Sequence, residues 1–160
     1  MSVSLVFGLP RAGKTTLLTK MACDAINKGK YNDVYSNVEI SVPGVTVIDN
    51  ACIGKYALRN CLILIDEGTI FADSRSFKSF DAGKVNYFML HGHFKADIVV
   101  FTQQATGVDL KIRQLTEQLI YLKKSKLFPW ISMYYPVLYR TQPPKDEPGD
   151  IHGNSFDFFR

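Results

Sequence analysis

Nothing in the chain approaches the roughly 18 apolar residues in a row that a membrane-spanning helix needs, so no segment reads as a span. Cysteine is scarce. Cys23, Cys52 and Cys61 are an odd number with no CxxC pair, which excludes a disulfide framework and a thiolate metal knuckle. A reducing cytosol fits that usage better than secretion. The first residues lack the charged-then-apolar order of a signal peptide. Internal repeats and low-complexity tracts are missing. Strong charge of one sign is missing too: the net charge is +4, which permits a nucleic-acid partner without arguing for one. What is present is 46% hydrophobic and 21% charged residues over 160 positions, the make-up of one globular domain with a real core.

The apolar runs are short and regularly interrupted. Val3–Phe7 reads as a buried strand ended by Gly8. From Lys14 to about Asn27, apolar residues at Leu17, Leu18, Met21, Ala22, Ala25 and Ile26 predict a helix with one buried face, stopped by Gly29. Further strands are expected at Val34–Val38, Val45–Ile48, Cys61–Ile65, Ile98–Phe101 and Leu119–Leu122. Helices are expected at Val85 to about Phe94 and at Leu110–Leu115. Cys61–Ile65 is almost wholly apolar, as a central parallel strand covered on both faces should be. This alternation predicts an α/β fold with a mostly parallel sheet, flanking helices and right-handed crossovers. It covers residues 1–124, the expected core. Residues 125–160 form an expected extension: Trp130–Tyr139 is aromatic and β-prone with Pro136 inside, reading as an edge hairpin or extended segment. Gln142–Gly149 reads as a linker-like tail.

Gly8-Leu9-Pro10-Arg11-Ala12-Gly13-Lys14-Thr15 fits G-x-x-x-x-G-K-[ST] at every fixed position. The chemistry requires each one. Glycines let the backbone curl so that N–H groups face phosphate oxygens. A helix opening near Lys14 adds its positive N-terminal dipole. Lys14 is placed to reach the β- and γ-phosphates of ATP, and the Thr15 hydroxyl to ligate Mg²⁺. Thr16 would lie beside the α-phosphate. The competing explanation is a glycine-bearing turn matched by chance, which a chain this long produces roughly once in a few hundred. The strand before and the helix after favour the phosphate cradle.

Leu62-Ile63-Leu64-Ile65-Asp66-Glu67 delivers two carboxylates to the C-terminal end of a central strand, the edge where open α/β sheets bind ligands. Asp66 can hold Mg²⁺ through water, and Glu67 can orient and deprotonate an attacking water. Alone, such a run is equally a strand end with solvated acids; after a P-loop it reads as the second half of a nucleotide site. Gln103, ending the next apolar strand, can touch the γ-phosphate and report its hydrolysis; Gln104 is the weaker candidate. His91 and His93 have no ligand cluster at metal spacing and read as surface or supporting histidines. Phe128, Trp130, Tyr134, Tyr135 and Tyr139 could stack bases, but sheet packing or a partner surface is the plainer reading.

With those residues in hand, the chain resembles the zonular occludens toxin-like family, which includes the gene I morphogenesis proteins of filamentous phages and belongs to the FtsK–HerA branch of P-loop ATPases. The resemblance rests on Gly8–Thr16, YSNVEI (35–40), ILIDEGTIFADSR (63–75), HGHFKADIVVFTQQ (91–104) and VDLKIRQLTE (108–117), in that order. It covers about residues 1–125. It implies Lys14 and Thr15 as the Walker A pair, Asp66 and Glu67 as Walker B and the catalytic glutamate, and Gln103 as a sensor on a strand between theirs. Arg113 matches the family's arginine after the sensor strand and would act on a neighbouring subunit. Fuller family members continue into a transmembrane helix and a periplasmic part, which this sequence does not show.

The expectation is therefore an oligomeric ATPase, a ring in the host cytoplasm or at the cytoplasmic face of the inner membrane. Its partners would be single-stranded DNA and phage coat or export proteins. It would drive virion assembly, export or DNA packaging. Two alternatives stay open on sequence. One is a small-molecule P-loop kinase, against which stand Glu67 beside Asp66 and the lack of an arginine-rich lid. The other is a nucleotide-binding assembly switch with weak turnover.

Overall fold

The computed structural model describes residues 1–67, 82–108, 110–124 and 134–140. Its sheet runs in the order β3-β2-β4-β5-β1-β6-β7. The strands are β1 Val3–Gly8, β2 Asp33–Ser36, β3 Val45–Val47, β4 Cys61–Ile65, β5 Asp97–Thr102, β6 Gln118–Lys124 and β7 Tyr134–Arg140. The first six pair in parallel, and β7 lies antiparallel along β6, from Gln118 opposite Arg140 to Lys124 opposite Tyr134. The chain is thus an α/β protein with a mostly parallel sheet, as the alternation of runs predicts. The expected edge segment is β7, and Pro136 sits in it opposite Leu122. The edge is where a residue without an N–H is tolerated.

The central strands are buried on both faces, and their side chains divide by parity. Leu5, Ile63, Ile65, Ile98 and Val100 pack with Tyr87, Phe88, Val108 and Ile112 on one face. Val6, Leu62, Leu64, Val99 and Phe101 pack with Leu18, Ala22 and Ala25 on the other. The two-residue period of a strand produces that split. It leaves helix α1 (Lys14–Lys28) covering the second face. Helices α2 (Ala82–Met89) and α4 (Leu110–Leu115) cover the first. Helix α1 ends at Gly29 in the left-handed region, as expected.

One helix expected from Val85 to Phe94 is two. Helix α2 stops at Met89, and a single turn, α3 (His91–Phe94), follows. Lys95 then takes φ 53, and Ala96 N–H donates to the His91 carbonyl, which turns the chain into β5. The apolar spacing runs through both pieces, so periodicity alone could not divide them. Arg75, Phe128, Trp130 and the tail from Gln142 lie outside the described residues, as do the side chains of Tyr134, Tyr135 and Tyr139. Among the described residues, no helix is long and apolar enough to cross a membrane.

Candidate functional site: a cleft at the carboxyl ends of three strands

The sheet order puts β5 between β4 and β1, so the ends of all three open at one edge. The loop after β1 and the residues after β4 and β5 enclose a cleft of about 270 Å³ lined by Pro10, Arg11, Lys14, Thr15, Asp66, Glu67, Thr102 and Gln103. Three segments distant in sequence therefore meet where open α/β sheets place their ligands.

The loop is built from local backbone rules. Ala12 N–H donates to the Leu9 carbonyl at 3.1 Å, closing a turn. Arg11 takes φ 61 and Gly13 φ 90, so two left-handed residues flank Ala12. At φ 90 a side chain would be strained, which is why the position before Lys14 requires glycine. Alternating conformations of this kind turn successive N–H groups inward, an anion-binding concavity. Gly8 serves a different need from the curl expected of it. It is the last residue of β1, and a Cβ there would lie 2.5 Å from the Leu122 carbonyl oxygen of β6.

Lys14 opens α1 and folds back over the loop. Its Nζ donates to the carbonyls of Gly8 at 2.9 Å and Leu9 at 3.0 Å. Burial lowers its pKa from the ordinary lysine value, and Asp66 and Glu67 oppose that shift. The ammonium thus faces the loop while two carboxylates share its cleft. Thr15 Oγ1 lies 3.4 Å from Asp66 Oδ2. Oxygens sharing an octahedral cation at roughly 2.1 Å sit about 3 Å apart, and Mg²⁺ prefers hard oxygen donors. The hydroxyl and carboxylate fit Mg²⁺ in chemistry, and at 3.4 Å they stand wider than two ligands of one such ion, which suits Asp66 reaching it through water.

Asp66 and Glu67 follow β4 directly. Glu67 N–H donates to Asp66 Oδ1 at 2.9 Å, and Glu67 takes φ 52, a left-handed conformation uncommon outside glycine. Glu67 is exposed and lines the cleft beside Gln103, which sits in the bend just after β5. Thr102 is buried beneath Gln103, and its Oγ1 donates to the Gln104 carbonyl and accepts from the Gln104 N–H.

The cleft gathers most of the residues expected from sequence. Pro10, Arg11, Lys14, Thr15, Asp66, Glu67 and Gln103 line it. Ala12 is buried under the loop, and Thr16 is exposed on the first turn of α1. Arg113 does not line it. That side chain is half-buried on α4, and its Nε donates to the Val108 carbonyl at 3.0 Å. His91 donates through its Nδ1–H to the Phe88 carbonyl at 2.7 Å, and its Nε2 lies 3.6 Å from Glu117. Two residues of the site carried no role in the sequence reading, Thr102 and Asn37. Asn37 pairs with the Asp66 backbone through both ends of its carboxamide. The available signal was positional: Ser36-Asn37, Asp66 and Thr102-Gln103 each put polar residues at the end of a buried strand, at one edge of the sheet.

Similar folds occur among solved proteins. The N-terminal domain of zonular occludens toxin from Neisseria meningitidis superposes with a TM-score of 0.65 at 19% identity, covering 92% of this chain and 86% of that one. The genome packaging NTPase B204 from Sulfolobus turreted icosahedral virus 2, in complex with ATP-gammaS, gives 0.64 at 12% identity, covering 87% and 91%. The flagellar accessory protein FlaH from Methanocaldococcus jannaschii gives 0.55 at 11% identity, covering 89% and 86%. No curated protein sequence matches the chain. The zonular occludens toxin (Zot) family does match, across residues 44–148, a span that holds Asp66, Glu67, Gln103 and Arg113 and runs through β7. With that match spanning well over half of its length, the chain belongs to the zonular occludens toxin (Zot) family.

Proposed function

We propose that this chain is an ATP hydrolase domain whose turnover drives assembly and export of a filamentous phage or packaging of viral DNA. The observation that carries the reading is the meeting of Lys14, Thr15, Asp66, Glu67 and Gln103 in one cleft. Family membership and the likeness to a packaging NTPase bound to an ATP analogue support the nucleotide and the setting.

Each side chain has a part. Main-chain N–H groups from Gly13 to Thr16 donate to phosphate oxygens at the positive end of α1. Lys14 exchanges the Gly8 and Leu9 carbonyls for the β- and γ-phosphates. Thr15 directly and Asp66 through water would hold Mg²⁺, which would neutralise charge on the phosphate oxygens. Glu67 orients a water and takes its proton as the water oxygen bonds to the γ-phosphorus and the bond to the β-phosphate oxygen breaks. Gln103 contacts the γ-phosphate and registers its loss. A metabolite kinase would need a second acceptor in this cleft, whereas an exposed carboxylate beside Asp66 suits water.

The test is nucleotide binding and turnover by the wild-type chain and by Lys14→Ala. A lost ammonium removes charged hydrogen bonds of about 1.5–3 kcal/mol each. Affinity for a fluorescent ATP analogue should fall by at least 100-fold, since each 1.4 kcal/mol is about tenfold. Unchanged affinity overturns the phosphate-cradle reading. Phosphate release by the wild-type chain with no added acceptor separates hydrolase from kinase.

A further inference from the structure

Asn37 lies one residue past the end of β2, beside the residues that carry the chemistry. The backbone at that point explains its position. Asn37 N–H donates to the Leu64 carbonyl at 3.2 Å, the last ladder bond between β2 and β4. The chain then turns out of the sheet. Ser36 Oγ donates to the Val38 carbonyl at 2.8 Å and accepts from the Val38 N–H at 3.2 Å, closing that turn. Asp66 would be left with an N–H and a carbonyl facing an edge that has no strand. The Asn37 side chain fills the gap. Its Oδ1 accepts from the Asp66 N–H at 2.6 Å, and its Nδ2 donates to the Asp66 carbonyl at 3.0 Å. A carboxamide is the side-chain copy of a peptide group, so it pairs with one residue as a strand would. The backbone partners have fixed polarity, which also fixes which end of the amide faces which.

We propose that Asn37 is a positioning residue for hydrolysis: through the Asp66 backbone it sets both the metal-facing carboxylate of Asp66 and the turn that brings Glu67 into the cleft. The proposal rests on the ATPase reading. The linkage is continuous. With Asp66 N–H and carbonyl both held, the carboxylate has one oxygen on the Glu67 N–H and the other toward Thr15 Oγ1. Glu67 follows at φ 52, a conformation that persists only where neighbours impose it. Thr15, Asp66 and Glu67 are thereby tied to the end of β2, a strand that contributes no lining residue of its own. Partners that orient a metal ligand from behind typically change metal affinity or activity by about 10–100-fold when removed.

The experiment uses the full chain with Asn37→Ala and the near-isosteric Asn37→Asp. The aspartate keeps an acceptor for the Asp66 N–H but sets an oxygen against the Asp66 carbonyl. Three quantities are read. The first is affinity for an ATP analogue with and without Mg²⁺. The second is kcat. The third is amide exchange at Asp66 and Glu67. Both variants should bind the analogue without Mg²⁺ within about 3-fold of wild type. Both should lose about 10–100-fold in kcat and in the tightening that Mg²⁺ confers. Exchange at the Asp66 amide should rise selectively. Wild-type kcat and exchange in both variants overturn the proposal. So does a uniform loss of analogue affinity, kcat and melting temperature, which would make Asn37 a general fold contact. If the wild-type chain itself shows no turnover, the ATPase reading fails, and Mg²⁺ dependence with amide exchange still decides the role of Asn37.

Discussion

Glu67 and Gly8 show how differently single residues can matter at one site. Glu67 is exposed, makes no core contact that its amide would break, and its value lies in a proton. Glu67→Gln should keep nucleotide affinity within a few-fold and lower turnover by about 10²–10⁴, the usual worth of a general base. Single-turnover phosphate release beside analogue titration checks it; equal losses in both would make Glu67 a metal ligand. Gly8 matters through space. A methyl group there would meet the Leu122 carbonyl at 2.5 Å, and that oxygen belongs to a strand backbone. Gly8→Ala must therefore push β1 and β6 apart, and overpacking of this kind costs about 1–3 kcal/mol. A melting temperature lowered by roughly 2–4 °C per kcal/mol is expected, and an unchanged melt would show that the two strands give way freely. The loop chemistry was legible in sequence because a phosphate cradle needs contiguous residues at fixed spacing. Asn37 and Asp66 lie 29 residues apart, and only the pairing of β2 with β4 brings them together.

The base of β5 makes the same point among elements. Asp97 begins the strand at the edge opposite the cleft and is buried. It accepts from the Ser2 N–H at 2.6 Å and from Lys30 Nζ at 2.9 Å, and the Tyr31 hydroxyl also donates to it. One carboxylate thus joins the start of β1, the segment after α1 and β5. Burial pushes its pKa up, but Tyr31, Lys30 and the Ser2 N–H outweigh burial and hold it below the ordinary value of 3.8. A carboxyl depressed in the folded state stabilises above its unfolded pKa, and that stability fades as pH falls through the folded value. Asp97→Asn should lower stability by about 1–3 kcal/mol near pH 7, because donors lose a charged acceptor in a buried place. The deficit against wild type should shrink below about pH 4. Denaturant melts at pH 7 and pH 3 check both parts; a deficit that is the same at both would mean that the charge contributes nothing. Strands and α1 were legible because burial writes itself as apolar runs and as a helical stripe. The break between α2 and α3 was not, since Lys95 turns the chain with backbone bonds that leave no mark in apolar spacing. Asp97 was invisible for the reason Asn37 was: its partners Tyr31, Lys30 and Ser2 are 66, 67 and 95 residues away.

At the scale of the whole molecule, the open question is what completes the cleft. Stabilising charge on a transferring phosphoryl group usually takes a further cation, supplied within the chain or by a neighbour. Among the described residues Arg11 is the only arginine lining the cleft, and it stands at a left-handed position of the loop. Arg59 is far from it, at the base of the sheet, with its guanidinium 5.2 Å from the Phe94 ring centre. Arg113 sits on α4 away from its own cleft, bonded to the Val108 carbonyl. If Arg113 serves as the finger, it must therefore serve another subunit, as the family resemblance implies, and turnover must depend on assembly. Turnover per chain should rise steeply with protein concentration as rings form, while analogue binding stays flat. Arg113→Ala should lower turnover by about 10³-fold or more, the worth of a finger, and leave the Lys14-dependent affinity intact. Arg113→Ala mixed with Glu67→Gln should regain part of the activity, because some interfaces then pair an intact Glu67 with an intact Arg113. Arg11→Ala separates the other case: if it abolishes turnover while Arg113→Ala does not, the cation is supplied in cis. No recovery in co-assembled rings, or turnover independent of concentration down to a demonstrated monomer, would rule out a shared site and make each cleft complete in one chain.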